Sequence, residues 1–267
     1  MKSIAIYGKG GIGKSTTTCS LAIALAENYK VIQIGCDPKS DSTKNLMNGK
    51  KIPSVLDMIR KKGNDVVLED IVYKSESGIY CVESGGPTPG IGCAGLGIIQ
   101  AFKKLEELKA FEIYKPDIVL YDVLGDVVCG GFAMPIRDGY ADNIFIVTSG
   151  EMMALYAADN IKRAVDNFVG RGYARCGGLI LNSRNVPDED MVVKKAAGEM
   201  GLDVLAKIRR SDYVQKAEDE GKTAIEMFPN SDIADDYRNL ARKIIEKIEE
   251  MEKNKIEKKD KKIARRI

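Results

Sequence analysis

The run Gly8-Lys9-Gly10-Gly11-Ile12-Gly13-Lys14-Ser15, followed by Thr16, matches the pattern G-x-x-x-x-G-K-S/T. Its chemistry is phosphate binding. The glycines let consecutive backbone N–H groups converge on phosphate oxygens, and a helix opening at the end of the loop adds the positive end of its dipole. Lys14 is placed to reach β- and γ-phosphates, and the Ser15 hydroxyl to ligate Mg²⁺. A glycine-rich turn without a ligand is the competing reading, and the complete pattern between a strand-like and a helix-like run argues against it. Lys9, a second lysine inside the loop, adds positive charge beside the phosphates.

Two further groups extend this chemistry. Ile118-Val119-Leu120-Tyr121-Asp122 is an apolar strand ending in a carboxylate, the arrangement that sets an Asp near the metal of a phosphate site. A strand-terminal Asp is also an ordinary turn residue, so the upstream loop is what gives Asp122 a metal role. Asp37, Lys39 and Asp41 follow the second strand, where the carboxyl ends of sheet strands collect ligand-binding residues. They are candidates to sense a γ-phosphate.

The chain has no histidine, so a transition metal must sit on cysteine or carboxylate. Its six cysteines, Cys19, Cys36, Cys81, Cys93, Cys129 and Cys176, form no CxxC pair, and no disulfide framework is expected. Cys93 lies in Gly85-Gly86-Pro87-Thr88-Pro89-Gly90-Ile91-Gly92-Cys93-Ala94-Gly95, and Cys129 in Asp126-Val127-Val128-Cys129-Gly130-Gly131. Small neighbours leave room for a bulky inorganic cluster and let backbone N–H groups hydrogen-bond its sulfurs. Spacing alone does not reveal a cluster here, because two ligands suffice only if a second subunit contributes two more. The other four cysteines sit in apolar runs and read as buried residues.

The elements that must position these residues follow from hydrophobic periodicity. Strands are expected at 3–7, 31–35, 79–83, 117–121, 144–148, 178–181 and 204–208. Helices are expected at 15–27, 55–62, 98–108, 152–168, 191–200 and 233–249. Alternating strands and helices predict an α/β fold, a P-loop NTPase with a mostly parallel sheet covered by helices on both faces. No Pro/Gly/Ser-rich linker divides the chain, so a single domain is expected over residues 1–250, followed by a basic, flexible tail at 251–267.

An apolar content of 44% over 267 residues is ordinary for a packed core. From Glu252 to Ile267 eight Lys/Arg face three acids, a local +5 that leaves −3 on the rest of a chain whose formal charge is +2. The body is therefore not expected to bind nucleic acid. No apolar run is long enough to span a bilayer, and Met1-Lys2 leads straight into a strand-like run. The expectation is a cytoplasmic protein with no membrane partner.

With Tyr121-Asp122-Val123-Leu124-Gly125-Asp126 and Ser149-Gly150-Glu151-Met152-Met153-Ala154, the cysteine loops closely resemble the nitrogenase iron protein and its relatives, from Lys2 to about Glu249. That resemblance implies a homodimer in which Cys93 and Cys129 of each subunit hold one shared 4Fe–4S cluster. MgATP binding and hydrolysis would rearrange the dimer on a nitrogenase-like catalytic component, with an upstream low-potential donor such as a ferredoxin. By matching position, Gly8 to Thr16 hold the phosphates and Ser15 the Mg²⁺, and Lys9 reaches into the partner's nucleotide site. Asp37, Lys39 and Asp41 form a first switch. A second switch begins with Asp122 to Asp126 and ends at Cys129. Asn182 and Gln215 contact the adenine, and Asp126 or Asp37 orients the attacking water. Met152 and Met153, opening a helix, read as core or interface packing.

The resemblance has departures. Leu96 stands where nitrogenase reductases have an arginine that docks on the catalytic component, and leucine cannot make that charged contact. Ser211 replaces an acid near the base, and the tail is rich in lysine. Gln33 to Lys39 are shared with the protochlorophyllide-reducing branch, whereas Phe132 to Arg137 and Gly150 to Met153 look closer to the nitrogenase side. That intermediate position resembles the nitrogenase-like reductases of methanogenic archaea, one of which serves the reductive cyclisation of nickel-sirohydrochlorin a,c-diamide. Abundant Lys, Glu and Ile would suit a thermophile. Competing expectations are an iron protein for nitrogen fixation and, from another class, a partitioning-type P-loop ATPase without a cluster. A cluster-assembly scaffold ranks last, since its C-terminal CxxC is missing.

Overall fold

Strands whose residues are buried on both sides must be covered by helices on both sheet faces. In the computed structural model, which describes residues 1–86, 94–125, 139–169 and 174–264, eight strands form one sheet. They are β1 (Lys2–Gly8), β2 (Val31–Gly35), β3 (Tyr73–Lys74), β4 (Tyr80–Glu83), β5 (Ile118–Asp122), β6 (Asn143–Thr148), β7 (Arg175–Asn182) and β8 (Val204–Ile208). Their order is β3-β4-β2-β5-β1-β6-β7-β8. Every neighbouring pair is parallel except β3 with β4. The expected α/β class and mostly parallel sheet are therefore present.

The helices are α1 (Lys14–Ala26), α2 (Val55–Lys62), α3 (Ala94–Glu107), α4 (Ala110–Tyr114), α5 (Met152–Val169), α6 (Glu189–Glu199), α7 (Asp212–Asp219), α8 (Ala224–Met227) and α9 (Asp232–Ala264). Successive residues of β1 serve opposite cores, as the period of a strand requires. Ile4 and Ile6 pack with Leu21 and Leu25 of α1 and Leu240, Ile244 and Ile248 of α9. Ala5 and Tyr7 join Ile98 and Phe102 of α3 and Ile161 and Val165 of α5. Among the described residues no helix is long and apolar enough to cross a membrane.

Several elements differ from the periodicity reading. β3 has two residues and α4 five, too short for a pattern to register. The expected strand at 178–181 begins earlier, at Arg175, because Gly177 and Gly178 hide it. A Cβ on Gly177 would lie 2.4 Å from Cε1 of Phe145, so ring packing requires the glycine. Ser211 caps the polar helix α7, accepting from the Tyr213 amide, and Thr223 opens α8 with Glu226 as a capping box. α9 runs beyond Glu249 to Ala264, so the segment expected to be a flexible tail is helical through Ala264.

Candidate nucleotide site

The carboxyl ends of β1, β2 and β5 lie side by side, with Ile6 level with Asp122 and Gly35 level with Asp122. The loop from Gly8 to Gly13 leaves β1 here and enters α1. Its carbonyls are tied by side chains: Lys14 Nζ donates to the Lys9 carbonyl at 3.3 Å, Asn182 Nδ2 to Ile12 at 2.7 Å, and Arg184 Nη2 to Gly11 at 2.8 Å. Gly13 caps α1 with φ 94°, and a Cβ there would meet Asn182 Nδ2 at 2.5 Å. The open side of the loop is different. A Cβ on Gly10 or Gly11 would meet nothing within 4 Å, leaving room for phosphate oxygens.

Gly125, just beyond the carboxyl end of β5, presses on the loop, since a Cβ on it would lie 2.5 Å from the Gly10 amide nitrogen and 2.6 Å from the Gly8 carbonyl oxygen. Only glycine allows this approach. Asp122 is buried, with Oδ2 accepting from Ser42 Oγ at 2.5 Å and Oδ1 fully buried without a hydrogen-bond partner. Burial pushes its carboxyl above the usual range, against the Ser15 and Ser42 hydroxyls and Lys14, which pull it down. An orphaned carboxylate oxygen beside a serine hydroxyl and a phosphate loop fits a hydrated Mg²⁺.

The segment after β2 is a turn. Asp37 accepts from the Lys39 amide at 2.8 Å, while Lys39 and Asp41 are exposed. Asp37 raises the Asp122 pKa through its charge, which puts the two carboxylates in one electrostatic neighbourhood. Gln215 lies on α7 and is exposed, its amide donating to Asp219 at 2.9 Å. The helix is nonetheless pinned to the loop, because Glu218 accepts from Thr16 Oγ1 at 2.5 Å and from Asn45 Nδ2 at 3.4 Å. A cavity of about 590 Å³ opens beside α7, walled by Arg210, Ser211 and the stacked rings of Tyr213 and Phe228.

Cys93, Cys129 and Asp126 lie outside the described residues. Of the remaining cysteines, Cys19, Cys36 and Cys81 are buried and Cys176 half-buried, and none forms a disulfide. Burial pushes all four thiols up, Cys176 to about 12, so they stay protonated and are poor metal ligands. Among the described residues no group of three or more His, Cys, Asp or Glu is placed to hold a metal ion.

Sequence reasoning gave no role to Arg184, Glu218, Ser42 and Glu83, which act across 40 to 202 positions of chain and leave no local signal. Glu83, at the end of β4, is fully buried; its Oε1 accepts from the Thr43 amide at 2.6 Å and the Thr43 hydroxyl at 2.7 Å. Burial drives its carboxyl up to about 7, opposed by the Thr43 hydrogen bonds and helped by the charges of Asp122 and Asp41.

Residues 2–263 match the family of 4Fe-4S iron sulfur cluster binding proteins, NifH/frxC family. The chain belongs to this family. It is 50% identical over 259 residues to nitrogenase iron protein 2 of Methanothermococcus thermolithotrophicus, covering 92% of this chain and 89% of that one. It is 53% identical over 249 residues to the nitrogenase iron protein of Methanospirillum hungatei, covering 92% and 88%. Among solved structures, the MinD cell division ATPase of Pyrococcus furiosus superposes with a TM-score of 0.68 at 21% identity, over 92% of this chain and 98% of that one. That likeness is one of fold. As a NifH/frxC member, the chain is an iron–sulfur reductase with a 4Fe–4S cluster and MgATP at the interface of a homodimer, passing electrons to a nitrogenase-like catalytic component. The cluster-free partitioning ATPase is thereby set aside, although such proteins share the fold.

Proposed function

We propose that this reductase delivers electrons to a catalytic partner that acts on a tetrapyrrole, for the reductive cyclisation of nickel-sirohydrochlorin a,c-diamide in a methanogen. The observation that carries this reading is Leu96. It lies three residues after Cys93, at the position where nitrogenase reductases present an arginine to their partner. A neutral, apolar residue there calls for a partner surface of different charge.

The cluster supplies the electron and MgATP the free energy of its delivery. The chain's own residues do the rest. Lys14 and the loop amides would bind the phosphates, and Ser15 and Asp122 would hold Mg²⁺ there. Lys9 completes the nucleotide site of the facing subunit, while Asp37, Lys39 and Asp41 respond to the γ-phosphate. Asp37 or Asp126 orients the attacking water. Asn182 and Gln215 flank the adenine, a reading supported by the bond from Asn182 to the loop and by the docking of α7 through Glu218. Cys93 and Cys129 hold the cluster, residues 1–250 form the functional domain, and the protein works in the cytoplasm with a ferredoxin-type donor.

A second reading, electron donation for dinitrogen reduction, is favoured by the names of the two methanogen relatives. Anaerobic protein should contain close to four irons per dimer, with an EPR signal after dithionite that is lost in Cys93→Ala and Cys129→Ala. Reduced protein with ATP should then support cyclisation of the nickel tetrapyrrole by its partner. Efficient support of dinitrogen reduction, with no tetrapyrrole turnover, would select the second reading.

A further inference from the structure

Ser42 and Thr43 form a fork at the end of the 37–43 segment. The Ser42 hydroxyl donates to Asp122, which begins the segment leading to Cys129. Its neighbour Thr43 turns the other way, giving its amide and hydroxyl to Glu83 at the end of β4. From Glu83 the chain runs through Ser84-Gly85-Gly86 toward Cys93.

A second contact joins the same two segments. Pro38 rests directly on Gly86, so closely that a Cβ on Gly86 would lie 2.4 Å from Cβ of Pro38 and 2.9 Å from its Cα. On its other side this stretch is held by α2, with the Leu56 amide donating to Ser84 at 3.2 Å and Arg60 Nη2 to Gly86 at 2.5 Å. Held by α2 on one side, Ser84–Gly86 faces the 37–43 turn on the other. Movement of that turn therefore bears on the root of the Cys93 segment.

We infer that Glu83 is a positioning residue that, with the Pro38–Gly86 contact, couples the 37–43 segment to the root of the Cys93 segment. This gives the nucleotide a second route to the cluster beside the one through Asp122. The inference rests on reading 37–43 as the phosphate-sensing turn and Cys93 as a cluster ligand. Glu83 acts through Thr43 and touches neither nucleotide nor cluster. Its second oxygen is buried without a hydrogen-bond partner.

Hydrogen exchange read by mass spectrometry on the cluster-loaded homodimer, with MgATP against MgADP, tests the coupling. Wild-type protein should show a nucleotide-dependent difference in peptides covering both 84–93 and 123–130. Glu83→Ala should lose the difference at 84–93 and keep it at 123–130. Glu83→Gln, which retains an oxygen to accept both Thr43 donors, should behave as wild type. Gly86→Ala, whose methyl must push Pro38 away, should repeat the loss without altering any buried polar group, so a folding defect in Glu83→Ala does not decide the outcome. An unchanged response at 84–93 in the alanine variants overturns the inference, as does a wild type that responds at 123–130 alone. A wild type with ATP bound and no response in either peptide overturns the functional reading and the inference together.

Discussion

At the scale of the residue, Glu83 gives a histidine-free chain a pH dependence near neutrality. Its folded pKa, about 7, stands above the ordinary 4.5, so the folded state holds a proton that the unfolded chain has released. Stability is therefore full below about pH 4.5, falls as pH rises toward 7, and is level above that. The shift corresponds to about 3 kcal/mol. Asp122 shifts in the same direction and contributes its own slope. Thermal unfolding of the nucleotide-free protein followed across this range should show a shallower decline in Glu83→Gln than in wild type; identical slopes would refute the assignment. Residues of this kind were not legible in the sequence. Lys14 and Ser15 announce themselves by spacing within eight positions, whereas Glu83 and Thr43 are an ordinary glutamate and threonine until β2 and β4 pair.

At the scale of the element, the phosphate loop is shaped from outside itself. Asn182 and Arg184 from the end of β7 hold its carbonyls, and Gly125 after β5 abuts its backbone. Adding a methyl at Gly125 forces the loop and the segment after β5 apart at a cost of about 1–3 kcal/mol. Gly125→Ala should therefore weaken ATP binding roughly tenfold or more, measured by titration calorimetry, and lower the thermal midpoint by a few degrees. Wild-type affinity would show that the two segments separate freely. The main strands and long helices were readable because Ile, Val and Leu recur at the period of each element. Short pieces were not, since β3, α4 and α8 owe their conformation to neighbours and caps rather than to their own pattern.

At the scale of the whole molecule, a family that works as a homodimer requires a face for the second copy. Met152, Met153, Tyr156 and Met191 are 83%, 61%, 61% and 66% exposed, large apolar groups gathered at the starts of α5 and α6. Met152 and Met153, read from sequence as core or interface, are therefore not core. Burying one such side chain contributes about 1.5–3 kcal/mol, so Met152→Asp should raise the dimer dissociation constant on the order of tenfold or more, as sedimentation velocity would measure. An unchanged constant would place the second copy elsewhere. The dimer and its shared cluster were legible only through family resemblance, because no property of one chain states what its partner contributes.

The buried carboxyl of Glu83 also offers a way to watch this protein without labelling it. A protonated carboxylic acid absorbs infrared light at a frequency well separated from that of a carboxylate and from the amide bands. Its position reports how strongly the acid is hydrogen-bonded. Because ordinary Asp and Glu side chains are ionised near neutral pH, a difference spectrum taken as nucleotide is exchanged would contain few bands of this type, and Glu83→Gln would single out its own. The side chain that ties two segments together thus serves as their intrinsic gauge, readable in solution and in real time.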